Sequence, residues 1–249
     1  MTTTLRDQII ITDASKHCFE GYSDLELSAR YSKNKNNFDI FEKLLYEKIH
    51  ENKIINELLF KTIILIDSTA SIDAIKLLIK CGADVNSKDC LSNTLLMHCC
   101  YYPIKIEMFE FLIEKGADVN IKNSYGSNTL LFHFSRISLD DDLEIIKLLI
   151  RKDKKINCRN DCGETPIIKY FNNNHKTIIR FDIIKLLLES KIDIYIKDKE
   201  GKNILDIIEK KIGKQNCKNS DIYSLIFNYK NIINDHLCEF NINFIYYNI

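Results

Sequence analysis

Four stretches of the chain repeat one another, and this self-similarity constrains the fold more than any other feature. They are Ile72 to Asp89 (IDAIKLLIKCGADVNSKD), Ile106 to Asn123 (IEMFEFLIEKGADVNIKN), Leu143 to Asn160 (LEIIKLLIRKDKKINCRN) and Phe181 to Asp198 (FDIIKLLLESKIDIYIKD), with starts 34, 37 and 38 residues apart. A period of that size means stacked supersecondary units, each unable to bury its apolar face alone, rather than one central core. Within each stretch apolar residues recur at helical spacing, as at Ile72, Ile75, Leu78 and Ile79, so one stripe of a helix is buried. Gly82 and Gly116 then sit where a helix C-terminus favours positive φ, and Ala-Asp-Val-Asn leads the chain into an extended turn.

A shorter helix is predicted ahead of each long one: Leu95 to Cys100, Leu130 to Phe134, Pro166 to Tyr170 and Ile204 to Ile208. Each begins behind Thr94, Thr129, Thr165 or Asn203, whose side chain can accept a hydrogen bond from the first turn's free amides. Pro166 takes the first helical position, where its missing N–H costs nothing. Turn, short helix, long helix and turn make the unit.

That unit resembles an ankyrin repeat, whose pattern runs D-x-x-G-x-T-P-L-H, a short helix, a second helix ending L-L, then G-A-D-V-N. Gly82 to Asn86 and Gly116 to Asn120 reproduce the last motif in full; Gly163, Thr165 and Pro166 match in one copy, and Asp198, Gly201 and Asn203 in another. The resemblance implies an all-α solenoid of about five to six helix-turn-helix repeats with short turns or hairpins between them, clear over residues 54–208. The chain departs from the pattern at the family's histidine, where Met97, Phe132, Ile168 and Asp206 are assigned, while His98 and His133 fall at equivalent positions. The span between the two helices exceeds the ~33-residue unit by about one, three and five residues in successive copies, so either the inner helices lengthen or the loops bulge.

Flanking segments read as atypical terminal units, as expected where one face meets solvent. Leu25 to Tyr31 with Phe38 to Leu45 forms an opening pair, Asn56 to Ile64 supplies the first helix of the repeat completed at Ile72, and Asp221 to Asn234 is a closing helix. The domains expected are an N-terminal segment over 1–20, a solenoid over 21–234 and a tail over 235–249. The low-glycine, Ile/Lys/Asn-rich wording, with Ser28 to Lys33 beside the first pair, resembles ankyrin proteins encoded by large DNA viruses.

Composition narrows the classes. With 45% hydrophobic residues in 249, the chain can build a substantial core, and seven glycines with two prolines favour helices over an all-β fold. Thirty-five Lys and Arg balance thirty-five Asp and Glu, so no net field draws the chain to nucleic acid or an anionic membrane. The N-terminus lacks a secretion pattern, and the most apolar run, Ile54 to Ile66, is interrupted by Glu57 and Lys61 and falls short of a span. A soluble cytoplasmic protein is expected, in the host cytoplasm if viral, with its nine scattered cysteines reduced.

Cys158 and Cys162 are four apart and His98, Cys99 and Cys100 are adjacent, but a closed zinc site needs four convergent ligands, and Cys99 and Cys100 read as small core hydrophobes. A thiol nucleophile would need a neighbouring His, with His98, His133 and His175 as candidates, yet no phosphate loop or nucleophile elbow accompanies them. No catalytic residue, metal or cofactor is assigned. The lysine cluster at 197, 199, 202, 210, 211, 214 and 218 has few interleaved aromatics and reads as a solvated edge rather than a nucleic-acid site. Asp140, Asp141 and Asp142 read as a solvated cap before the helix at Leu143. The apolar Phe240 to Ile249 reads as packing on the last repeat, with a docking peptide as the alternative.

Binding another protein is therefore the function expected. By resemblance, contacts fall on the turn tips and the exposed side of the short helices: Cys90, Leu91, Asn93, Tyr101 and Tyr102 in one copy, and Ser124, Tyr125, Asn128 and Arg136 in the next. Asp161, Cys162, Glu164 and Asn172 follow in the third, and Lys199, Glu200 and Lys202 in the fourth. Tyr101, Tyr102, Tyr125 and Arg136 are the expected anchors, since Tyr and Arg often dominate interface energy. The second reading is a ubiquitin-ligase substrate adaptor acting through residues 221–249, with ligase subunits as partners.

Overall fold

The computed structural model describes residues 23–48, 52–63, 71–101, 106–136, 143–153, 155–173 and 180–212, with 222, 224–229 and 231. The described regular structure is helical, and the chain divides into two compact units between Ser124 and Tyr125.

The first unit holds α1 (Asp24–Arg30), α2 (Lys35–Lys48), α3 (Asn52–Ile63), α4 (Ile72–Lys80), α5 (Leu95–Cys99) and α6 (Ile106–Glu114). Contacts sort these into two layers: α1, α3 and α5 follow one another in an inner row, and α2 meets α4 in an outer row. α1 opens with a capping box, Glu26 N–H donating to Ser23 Oγ at 3.2 Å and Ser23 N–H to Glu26 Oε2 at 2.8 Å. On α4 the buried residues are Ala74, Ile75, Leu77 and Leu78, the i, i+1, i+3, i+4 stripe that the sequence pattern requires. Phe41 and Leu45 on α2 and Ile55 and Leu59 on α3 are fully enclosed, and both helices contact α4. Each such apolar side chain contributes about 1.5–3 kcal/mol on burial.

The second unit holds α7 (Thr129–Ser135), α8 (Leu143–Lys152), α9 (Pro166–Asn172), α10 (Phe181–Glu189) and α11 (Ile204–Ile212). Its inner row is α7, α9, α11 and its outer row α8, α10. Phe134 and Tyr170 join the inner helices edge-to-face at 5.1 Å between ring centroids. Asn173, just past α9, donates to both Phe134 O and Arg136 O at 2.8 Å, satisfying carbonyls that the end of α7 leaves open. Residues 224–229 are helical, in line with the expected closing helix, and Tyr229 OH lies 3.4 Å from Ile192 O.

The C-terminal ends of the long helices follow the predicted logic, while three of the four predicted N-caps are corrected. Gly82 and Gly116 have φ of 98° and 93°, and the N–H of the next residue closes the last turn onto Leu78 O and Leu112 O. Lys191 takes the same place after α10 with φ 61°. At the inner N-termini, however, the second copy is shifted by one residue: Asn128, not Thr129, is the cap, its Oδ1 accepting from Leu131 N–H at 3.0 Å. The residue three beyond the cap is therefore Leu131 rather than Phe132, and His98 and His133 are not equivalent. His98 stands four past its cap and turns toward its own turn tip; His133 stands five past and is wholly buried beside Phe134. Neither Thr94 nor Thr165 caps with its hydroxyl. Asn203 does cap, accepting from Leu205 N–H and Asp206 N–H while its own N–H donates to Asp206 Oδ2.

Of the two explanations for the longer copies, the helical part is visible: α5 has five residues, α7 and α9 seven. Residues 102–105, 137–142 and 174–179, and with them Asp140 to Asp142 and His175, lie outside the described residues, as do Lys214, Lys218 and Phe240 to Ile249.

Candidate protein-binding surface

The turn tips are short hairpins built around one acceptor. Asp89 Oδ1 accepts from Leu91 N–H and Asn93 N–H, both at 2.8 Å; Asn160 Oδ1 accepts from Cys162 N–H and Glu164 N–H at 3.0 and 2.9 Å. Asp198 Oδ1 does the same for Glu200 and Lys202 at 2.9 Å. An Asx side chain that mimics a backbone turn explains why Asp or Asn begins each of these tips. Three residues on, the chain needs a positive φ, which Gly126, Gly163 and Gly201 supply and which Ser92 adopts at 58°.

Neighbouring tips are tied by main-chain bonds. Ser124 N–H donates to Leu91 O at 2.9 Å in the first unit; Asp161 N–H to Tyr125 O and Lys199 N–H to Cys162 O, both at 3.0 Å, do so in the second. This close approach is why Gly163 has no room for a side chain, since a Cβ there would lie 2.8 Å from the Lys199 backbone nitrogen. A second thread runs through side-chain amides. Asn56 Oδ1 accepts from Asp84 N–H at 2.7 Å, Asn86 Oδ1 from Asp118 N–H at 2.8 Å and Asn157 Oδ1 from Asp193 N–H at 2.8 Å. Asn86 and Asn120 also donate their own N–H to the Asp two residues earlier, and Tyr195 holds that place in the last copy, bonded to Asp193. The linking role of Asn56, Asn86 and Asn157 was missed from sequence; of the three only Asn86 ends an Ala-Asp-Val-Asn, so the motif alone does not mark it.

On this frame the expected contact residues separate into two groups. Cys90, Leu91, Tyr101, Ser124, Tyr125, Asp161, Cys162, Lys199 and Glu200 are exposed. Among them Tyr125 is 60% exposed, Tyr101 58% and Leu91 44%, large apolar surfaces for tips so firmly held. Asn172 and Lys202 are half-buried, and Tyr102 lies outside the described residues. Asn93, Asn128, Arg136 and Glu164 are buried and are corrected from contact to framework residues. Asn93 and Glu164 close their own hairpins, Asn128 caps α7 and donates to Asp153 at 2.9 Å, and Arg136 ends α7 where Asn173 binds its carbonyl. Their polarity serves internal hydrogen bonds, which is what a buried polar group requires.

The site's ionisable groups follow from these bonds. Burial pushes the Glu164 carboxyl up, but hydrogen bonds from Asn172 and Asn160 and the nearby Lys169 ammonium outweigh it, and the net shift is downward. Asp89 behaves alike: burial raises it, and Asn93, His98 and the Leu91 amide together lower it further. Cys99 is enclosed and burial pushes its thiol well above its ordinary value, which suits the expected core role. Among the described residues no group of three or more His, Cys, Asp or Glu is placed to hold a metal ion, and no helix is long and apolar enough to cross a membrane.

Stacked helix pairs in two rows, joined through Asx-centred tips, agree with a comparison against protein-family models. Residues 26–123 match ankyrin repeats, in three copies. The ankyrin match begins in α1, so the opening pair read from sequence as an atypical flank is part of it. Within the second unit the helices and tips beyond residue 123 repeat the same pattern of paired helices and Asx-centred tips, so the described fold is all-α and consistent with ankyrin repeats. Ankyrin repeats are in general protein–protein interaction modules. A comparison with curated proteins gave no match.

Proposed function

We propose that this protein binds a partner protein through its turn tips and the C-terminal ends of its inner helices, and that it scaffolds or sequesters that partner without chemistry of its own. The supporting observation is the exposure of Leu91 and Tyr101 in the first unit and of Tyr125 in the second, beside main chain whose hydrogen bonds are already made. A rigid frame loses little conformational entropy on association, so exposed aromatic area there converts more fully into affinity. On the resemblance in residue usage alone, we further propose a large DNA virus as the source, with a host-cell protein as the partner and the host cytoplasm as the site of action. The adaptor reading rests on residues 221–249, and no described contact favours it.

The test is crosslinking and affinity capture from the native cell with the full chain, compared with Tyr101→Ala and Tyr125→Ala. Specific loss of one captured protein, with thermal unfolding within a few degrees of the parent, supports the proposal. Capture unaffected by either substitution, or loss that tracks unfolding, refutes it.

A further inference from the structure

Two of the four tips are closed by the same three chemical groups in exchanged positions. In the first, the acid Asp89 opens the tip and the amide Asn93 ends it; Asn93 Nδ2 donates to Asp89 Oδ2 at 3.1 Å, and His98 Nε2 lies 2.8 Å from the same oxygen. In the third, the amide Asn160 opens the tip and the acid Glu164 ends it; Asn160 Nδ2 donates to Glu164 Oε2 at 2.8 Å, and Lys169 Nζ lies 3.2 Å from that oxygen. His98 and Lys169 occupy one helical position, four residues after the caps Thr94 and Thr165. The acid and amide have traded places across the hairpin, and the basic group reaches whichever oxygen results. All four side chains of these two pairs are three-quarters or more shielded from solvent, where such bonds are strongest. The second and fourth tips have Phe132 and Ile207 at that helical position, and in the fourth Lys202 turns outward to Glu200.

We propose that His98 and Lys169 are positioning residues that clamp the first and third tips to their inner helices, so that Leu91 and Cys162 meet a partner protein in fixed places. This rests on the partner-binding reading for its purpose but not for its test.

The clamp is read by residue-level amide hydrogen exchange on the full chain, with no partner present. His98→Phe installs the residue type of the second tip, and exchange at Asn93 should quicken about tenfold, as for one lost hydrogen bond, while α8 and α10 keep their protection. Lys169→Ile should do the same at Glu164. Asp89→Asn alone should also free the amide at position 93, and adding Asn93→Asp, which rebuilds the third tip's arrangement in the first, should restore most of its protection. Unchanged exchange at Asn93 in His98→Phe, or a double variant no better than Asp89→Asn, overturns the clamp. Partner capture by the Tyr125→Ala chain reports separately on the binding reading, so either idea can fail while the other stands.

Discussion

Asn86 reaches across to Asp118, thirty-two residues along the chain: its side-chain oxygen accepts the Asp118 N–H at 2.8 Å, while its amide donates to Gly116 O at 2.9 Å. One side chain thus satisfies a donor and an acceptor in the next repeat. Asn86→Ala should destabilise the chain by about 1–2 kcal/mol, two net hydrogen bonds' worth. Asn86→Asp, which keeps the acceptor and loses the donor, should fall between. Urea unfolding followed by far-UV circular dichroism measures both; equal losses would show that the acceptor kept in Asn86→Asp contributes nothing, and an Asn86→Asp chain as stable as the parent would show the same of the donor.

Ser92 and Lys191 adopt positive φ where other copies have glycine. The left-handed region costs an L-residue about 1–2 kcal/mol, and glycine's extra unfolded-state freedom returns about 0.5–1 of this. Ser92→Gly and Lys191→Gly should therefore each stabilise by about 0.5–1 kcal/mol, seen as a raised melting temperature. Gly163→Ala should be far more harmful than Gly201→Ala, because only the former drives a Cβ into neighbouring backbone.

Acid should weaken the third tip. The Glu164 carboxyl is held below its ordinary value of 4.5 in the folded chain, so its contribution is complete above that value and is lost as pH falls through 4.5 toward the folded pKa. Glu164→Gln should be less stable than the parent at neutral pH and should lose less on acidification. Urea midpoints across the acid range compare the two; parallel curves would show that Glu164 is not a source of the acid sensitivity.

The inner-helix caps make a paired prediction. Asn128→Ala removes a working cap and should cost about 1 kcal/mol. Among the described residues the buried Thr165 hydroxyl has no hydrogen-bond partner, so Thr165→Val should be neutral or mildly stabilising by thermal denaturation. A large loss in Thr165→Val would mean the hydroxyl is engaged after all.

Much of this architecture was legible beforehand because helix burial leaves a periodic trace: Ile75 and Leu78, or Ile184 and Leu188, can hardly be read otherwise. The one-residue slip at Asn128 arose where Ser127, Asn128 and Thr129 run together, three cap-competent residues before a helix whose residues are buried almost all round. Periodicity cannot fix the register of such a helix. Contact residues were harder still. Asn93 and Glu164 look solvent-facing by type, and only the exchanged acid and amide across each hairpin reveal that they bond inward.

Tyr195 stands where Asn86 and Asn120 stand in earlier copies. A phenol has no carbonyl oxygen to receive the amide of an incoming aspartate, so the link that Asn157 makes to Asp193 has no counterpart at Tyr195. Grafting another consensus module behind residue 195 would leave a seam at this point, and restoring asparagine there would be the first alteration an engineer lengthening the array should make.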